Sequence, residues 1–403
     1  MKRKDLKNVA IVGVYTTEQG YLVDRTTMSL YAEGIKGALD DAGMKKEEID
    51  GIANDWHVWL SQFDPMKMGT FGYPGWWGQY LKTNIRWYYP LLGSFAVWNA
   101  AIAISTGQCN TVLIPNAMSV SNLAKQVGRD AMVKAMALPT EFVGPWGPIL
   151  PSWYAMVARL HMHHFGTTSE QMAEVAVAMR EWAIMNPEAM MYSKGPLTTQ
   201  DVLNSRMICD PLHLLDICLA NDGGYFILMT TAERAKDCRK PPVYILGGGE
   251  CHRLPMYINA PRADSSYKDW HPTPAAEAGQ AAFQMAGVTH DDIDVAEIYD
   301  CFTITVIKML EDLGFCKQGE GGSFVEGGTL RPGGKLPCNT HGGLLSHSHN
   351  GVPGAGHVIE AVRQLRGECG PRQLKDPKIA LALNQGGPFA YASTVILSKE
   401  PPS

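Results

Sequence analysis

Residues 31–52 read YAEGIKGALDDAGMKKEEIDGI, and residues 275–296 read AAEAGQAAFQMAGVTHDDIDVA. Slid by 244 positions, Ala32, Glu33, Ala38, Ala42, Gly43, Ile49 and Asp50 fall on Ala276, Glu277, Ala282, Ala286, Gly287, Ile293 and Asp294. Each copy reads as a helix stopped by Gly, then a short acidic turn, then a strand. A second match follows in the same order. AAIAISTGQCN (100–110) superposes on EAVRQLRGECG (360–370) at an offset of 260, pairing Ala101, Gly107 and Cys109 with Ala361, Gly367 and Cys369. Two matches in register predict a chain made of two copies of one α/β unit.

Alternation of elements agrees with this. Apolar runs at 9–15, 111–115, 242–246, 293–299, 379–383 and 392–398 read as buried strands. Helical patterns lie between them near 28–42, 95–106, 275–286, 303–313 and 355–366. The pattern predicts a layered α/β fold with mostly parallel central strands. Residues 118–200 break it with two helical segments, WYAMVARLHMHHF and SEQMAEVAVAMREWAIMN, separated by GTTSE. Thr167 and Glu170 have the spacing of a capping box for the second helix. The expected organisation is a first half from 1–117 and 201–250, a helical insertion at 118–200 that covers a site, and a second half at 251–403.

Bulk properties narrow the function. The 403 residues are 45% hydrophobic and 19% charged, with a formal charge of -5 that gives no reason to expect nucleic acid or anionic lipid as partner. The start, MKRKDLKNVAIVGVY, has an apolar run too short for a signal peptide and reads as a first strand. No apolar run reaches membrane-spanning length. Nine Cys without CxxC spacing fit a reduced cytoplasm better than a disulfide framework. Residues 55–90 hold 11 aromatic side chains, among them Trp87 and Tyr89, against 9% aromatic in the whole chain. Such a stretch suits a large apolar substrate pocket, a partner surface or a dimer contact.

Three motifs resemble the thiolase superfamily, in its sterol carrier protein X-like branch. NTHGGLLSHSHNGVPGAGHVIEAVRQLRGECG (339–370) resembles the branch's block from Gly-Gly through Gly-His-Pro to a Gln-Leu-Arg-Gly helix end. EIYDCF (297–302) resembles its His-Asp-Cys-Phe, and SRMICDPLHLLDICLANDGG (205–224) the segment closing the first half. The resemblance implies the thiolase fold, five layers αβαβα from two similar halves. It also implies a homodimer and a coenzyme A thioester as substrate, with no covalently bound cofactor.

The resemblance locates the site. The family's nucleophilic Cys falls at Pro90, in RWYYPLLGSF, where no thiol is in reach. A Claisen thiolase needs a thiolate there to carry the acyl group. His349 falls on the Gly-His-Pro histidine, where its imidazole and nearby backbone N–H groups would bind a thioester oxyanion. Cys301 falls on the acid/base thiol, and Tyr299 replaces the usual His or Asn. Asn384 and Gly386, in LNQGG, lie where other thiolases carry a second Cys on a loop. His341 is a substrate-binding candidate; it and His347 read by themselves as structural. HMHH (161–164) reads as a solvated helix end rather than a metal cluster, because no carboxylate or Cys follows at ligand spacing. GGG (247–249) lacks the spacing of a nucleotide-binding loop.

A thiolase-shaped pocket without its nucleophile keeps the parts needed to make or quench a thioester enolate. Members of the branch that lack the Cys resemble steroid side-chain aldolases that carry a Tyr at the position of Tyr299. They act with a small OB-fold, zinc-ribbon partner. The resemblance implies retro-aldol cleavage of a bulky β-hydroxyacyl-CoA here. Two alternatives stand beside it: acyl transfer of the Claisen type on Cys301, and a non-catalytic subunit that binds CoA thioesters.

Overall fold

The computed structural model describes residues 8–54, 74–91, 93–119, 121, 125, 150–253, 272–350 and 354–402. Most of the aromatic stretch (55–73) and the middle of the insertion (126–149) lie outside the described residues. Among the described residues, nine strands form one sheet: β1 (Val9–Thr16), β2 (Gly51–Ala53), β3 (Trp87–Tyr89), β4 (Thr111–Met118), β7 (Gly223–Thr231), β8 (Val243–His252), β9 (Val295–Ile298), β10 (Ile379–Gly386) and β11 (Tyr391–Ser398). Strands β5 (Met207–Cys209) and β6 (Leu212–His213) make a separate hairpin.

The order β3-β2-β4-β7-β1-β8-β11-β10-β9 carries the repeat. Outward from the antiparallel β1–β8 contact, β7, β4 and β2 on one side answer β11, β10 and β9 on the other. Pairing type matches at each step. β2–β4 and β9–β10 are parallel, whereas β4–β7, β10–β11, β1–β7 and β8–β11 are antiparallel. The sheet is therefore mixed, not mostly parallel as its sequence pattern predicts. Residues 387–390 join β10 to β11, and so short a turn permits only antiparallel neighbours. The same junction in the first half, between β4 and β7, opens to admit 119–222, so the insertion enters at the hairpin turn of the repeat unit. Strand β8 spans the expected boundary at 250/251 and takes its place in the second set.

Helix α1 (Thr27–Ala42) packs on β1, β4 and β7; the described helices relevant to the site continue with α2 (Pro74–Leu81), α3 (Gly93–Ser105), α4 (Leu150–Phe165), α5 (Ser169–Ala183), α6 (Thr199–Asn204), α7 (Ala232–Ala235), α8 (Pro274–Ala286), α9 (Thr303–Leu313), α10 (Gly321–Val325) and α11 (Ala355–Arg366). Helix α8 packs on β8 and β11 as α1 does on β1 and β7. The aligned glycines Gly43 and Gly287 cap α1 and α8 in the left-handed conformation, followed by turns at Lys46–Glu48 and His290–Asp292 and by β2 and β9. The GGG run is a packing device: a Cβ on Gly249 would lie 2.2 Å from the Ala278 carbonyl oxygen. Only a bare backbone lets α8 approach β8 so closely.

Helices α3 and α11 occupy the middle layer. Their apolar residues share one core cluster with residues of both strand sets, among them Ile11, Val112, Ile245, Val295 and Ala382. Separate clusters lie outside, one with α1 and one with α8 and α9. This is the αβαβα layering. A helix buried on nearly every side must be apolar all round, which is why α3 reads GSFAVWNAAIAIS.

Helices α4 and α5, though inserted into the first half, pack on α9 and on the 343–347 turn of the second. Two sequence readings change here. The cap of α5 is Thr168, bonded to the Gln171 N–H, while Thr167 turns inward. His161 is fully buried, with Nδ1 2.8 Å from Thr167 Oγ1 and Nε2 3.0 Å from Glu311 Oε1. It is thus no solvated helix end. Its carboxylate comes from α9, 150 residues away, where local spacing gives no sign of it. No described helix is long and apolar enough to cross a membrane.

Candidate active site

Strand β9 delivers EIYDCF into the molecule. The ladder continues one residue beyond Ile298, where the Tyr299 N–H donates to the Leu383 carbonyl at 3.0 Å. From there the three reactive side chains part. Tyr299 meets His349, with 3.2 Å between the phenol oxygen and Nε2. Asp300, fully buried, accepts from the Leu344 and Leu345 N–H groups at 2.8 and 3.2 Å and lies 3.1 Å from His357 Nε2. Cys301 turns to Gln385 Nε2 at 3.5 Å and Thr305 Oγ1 at 3.6 Å.

Electrostatics assign protonation states. Burial, reinforced by Cys301, Cys218, Tyr391 and Asp300, pushes the Tyr299 phenol well above its ordinary value. At neutral pH it is an O–H group, not a phenolate. Burial likewise pushes the Cys301 thiol up to about 12, despite hydrogen bonds from Tyr154, Thr305 and Gln385 that favour the thiolate. A thiol in that state is a poor nucleophile.

The 342–349 segment is fixed from several sides. The turn Gly343–His347 holds Gly343 at φ +62, and a Cβ there would lie 2.0 Å from Asp300 Oδ2. The His349 N–H donates to Asn221 Oδ1 at 2.9 Å, and Asn221 Nδ2 donates to Ser348 Oγ at 2.8 Å. Ser348 in turn donates to Gln19 Oε1 at 2.6 Å. The backbone N–H groups of Leu344 through His349 are therefore all engaged within the protein. They are thus not free to form the oxyanion cradle that the Gly-rich sequence suggests.

The other candidates fall at varied distances from this pair. Asn384 lies within strand β10 rather than on a loop, and its Oδ1 accepts the Ser94 N–H at 2.6 Å, tying β10 to the first turn of α3. Pro90, exposed, precedes that turn, and no Cys occurs anywhere in residues 1–108. Gly386 ends β10 where a Cβ would lie 2.3 Å from the Tyr391 phenol. Trp87 and Tyr89 stack on one another at 6.0 Å, and Tyr89 donates to Glu250 Oε1 at 3.2 Å. Glu250 also holds Asn99 and His252, and the His252 ring stacks on Tyr391, so Tyr89 reaches the site through intermediaries. His341 lies behind the site, 3% exposed, packed edge-on against His347 and His357. Burial drives its pKa down to about 3 and that of His347 well below the ordinary value. Its Nδ1 is 3.1 Å from Glu297 Oε2, whose carboxyl burial pushes far up, so the two meet as neutral groups.

Sequence reasoning missed Asn221, Gln385 and Tyr154. Asn221 stands in plain view in the LANDGG that closes the 205–224 motif. Tyr154 gives no local signal: it arrives from α4, where its hydroxyl accepts from Gln385 at 3.0 Å and its ring stacks on Phe302 at 4.1 Å.

Residues 259–399 match the family profile described as Thiolase C-terminal domain-like. The steroid side-chain-cleaving aldolase of Thermomonospora curvata is 34% identical, covering 89% of this chain and 90% of the relative. The acetyl-CoA acetyltransferase of Methanothermobacter thermautotrophicus is 32% identical over 98% of this chain and 100% of the relative. Among solved structures, the Ltp2–ChsH2(DUF35) aldolase superposes with a TM-score of 0.82 at 31% identity, covering 97% of this chain and 98% of its own. With two similar halves, a helical middle layer and EIYDCF at the end of β9, the chain belongs to the thiolase superfamily, in its sterol carrier protein X-like branch.

Proposed function

We propose that the protein is a carbon–carbon lyase that cleaves a bulky β-hydroxyacyl-CoA by retro-aldol chemistry. The observation that carries this reading is the Tyr299–His349 contact at 3.2 Å in a site with no thiol at the head of α3. The similarity to the steroid side-chain-cleaving aldolase supports the same chemistry.

The neutral Tyr299 phenol takes the β-hydroxyl proton as its own proton passes to His349 Nε2. The Cα–Cβ electron pair moves into the thioester, giving an enolate and a carbonyl product. The same pair then returns the proton to Cα. No free phenolate accumulates, so the raised pKa of the buried phenol does not stand in the way. Cys301 lines the site beside them, with Asn384 and Gly386 on β10 and Trp87 and Tyr89 farther out along the acyl path. Coenzyme A enters as part of the substrate. The working assembly is a cytoplasmic homodimer joined to a small OB-fold, zinc-ribbon protein, in line with the DUF35 component of the similar Ltp2–ChsH2 aldolase. The proposed units follow the expected 1–117 with 201–250, the insertion 118–200 and 251–403, with the last boundary moved back to the start of β8 at Val243.

The test is to incubate the native complex with β-hydroxyacyl-CoA thioesters of increasing acyl bulk and follow release of the carbonyl product and the shortened acyl-CoA. The acetyltransferase relative makes Claisen transfer the competing outcome. An acyl adduct on Cys301 in the intact mass would establish that outcome and sink the lyase.

A further inference from the structure

The Asn350 side chain is fully buried one residue beyond His349, and neither its Nδ2 nor its Oδ1 has a hydrogen-bond partner among the described residues. A buried amide left without partners costs about 1–3 kcal/mol. An unsatisfied group of this kind calls for a reason, and a role in binding or catalysis is one. The neighbouring donors are already committed. Leu344 and Leu345 give their N–H groups to Asp300, Ser346 and His347 to the Gly342 carbonyl, Ser348 to the Gly343 carbonyl and His349 to Asn221. The Ser94 N–H at the head of α3 is spent on Asn384. A thioester oxygen gaining negative charge needs donors aimed at it, and a carboxamide brings two N–H bonds.

We propose that Asn350 is a substrate-binding residue whose Nδ2 donates to the thioester oxygen of an acyl-CoA as that oxygen becomes an enolate oxyanion, beside the imidazole of His349. The assignment rests on the reading that the substrate is a CoA thioester and holds for lyase and acyltransferase alike.

Acetoacetyl-CoA is a suitable probe, because its enolate absorbs in the near ultraviolet and forms without cleavage of any carbon–carbon bond. The native complex should raise the enolate band on binding. Asn350→Asp, which keeps the shape and loses the donor, should abolish that rise. Both Asn350→Asp and Asn350→Leu should lower kcat of the native reaction about 10²–10³-fold with KM changed only a few-fold. Asn350→Leu should melt at the same temperature as the wild type or higher, since it removes an orphaned polar group. A structural asparagine would behave in the opposite way. Absence of the enolate band in the wild type, an unchanged band in Asn350→Asp, or loss of folding in Asn350→Leu would each overturn the assignment. If the wild type forms the band but does not cleave β-hydroxyacyl-CoA, the lyase reading fails and Asn350 keeps its role.

Discussion

The Tyr299 phenol oxygen stands 3.2 Å from Nε2 of His349, and the two residues reach each other from different elements. One leaves the end of β9; the other follows the Gly343–His347 turn. The contact puts a neutral buried phenol and an imidazole nitrogen within hydrogen-bond distance, so that a proton can pass between them.

Removing the phenol tests that pair directly. Tyr299→Phe should cut turnover of a β-hydroxyacyl-CoA about 10²–10⁴-fold, the range for a positioned acid/base group. Cys301→Ala should slow it only a few-fold, because burial keeps that thiol protonated. Steady-state kinetics of the two variants decide, and the reverse ranking would make the thiol the working group.

Asp300 should act through the same pair. Its carboxylate holds the Leu344 and Leu345 N–H groups and so ties the residue after Tyr299 to the turn that carries His349. Asp300→Asn should lower kcat in the wild type and have little further effect in Tyr299→Phe. A double-mutant cycle measures this coupling. Simple additivity of the two losses would show that Asp300 serves folding alone.

His161 predicts a stability effect separate from catalysis. It sits between Thr167 and Glu311, and Glu311 lies 3.5 Å from Lys308 in a fully buried group. His161→Ala leaves the carboxylate short of a partner and should cost about 3–5 kcal/mol in denaturant unfolding. The residual folded protein should keep its KM, since the hydrogen bonds of His161 go to Thr167 and Glu311 and not to Tyr299 or His349.

Acid sensitivity follows from His341. Its folded pKa of about 3 lies below the ordinary value of about 6.5, so the folded state excludes a proton that the unfolded chain binds. The stabilisation is complete above pH 6.5 and is lost as pH falls from there towards 3, at up to about 1.4 kcal/mol per pH unit. His341→Gln should flatten the fall in unfolding free energy across that window. His347, shifted the same way, should account for part of what remains. An unchanged slope would contradict the assigned burial.

The sequence by itself determined the two-fold architecture. Gly43 and Gly287, and Gly107 and Gly367, sit at equivalent helix ends because a helix stop, a turn and a strand are local events written in a few residues. The same locality made Tyr299, Cys301 and His349 legible as one family of positions, and made the missing thiol at Pro90 a plain fact. Pairing direction, the partner of His161, the clamp of Asn221 on His349 and the isolation of Asn350 were decided only in three dimensions. Pairing direction depends on which strands become neighbours in the sheet. The His161 and Asn221 contacts join groups more than a hundred residues apart, and the isolation of Asn350 depends on nearby donors being already engaged. Burial settled the chemistry last: it keeps the Tyr299 phenol and the Cys301 thiol protonated, and no spacing of letters encodes the removal of water.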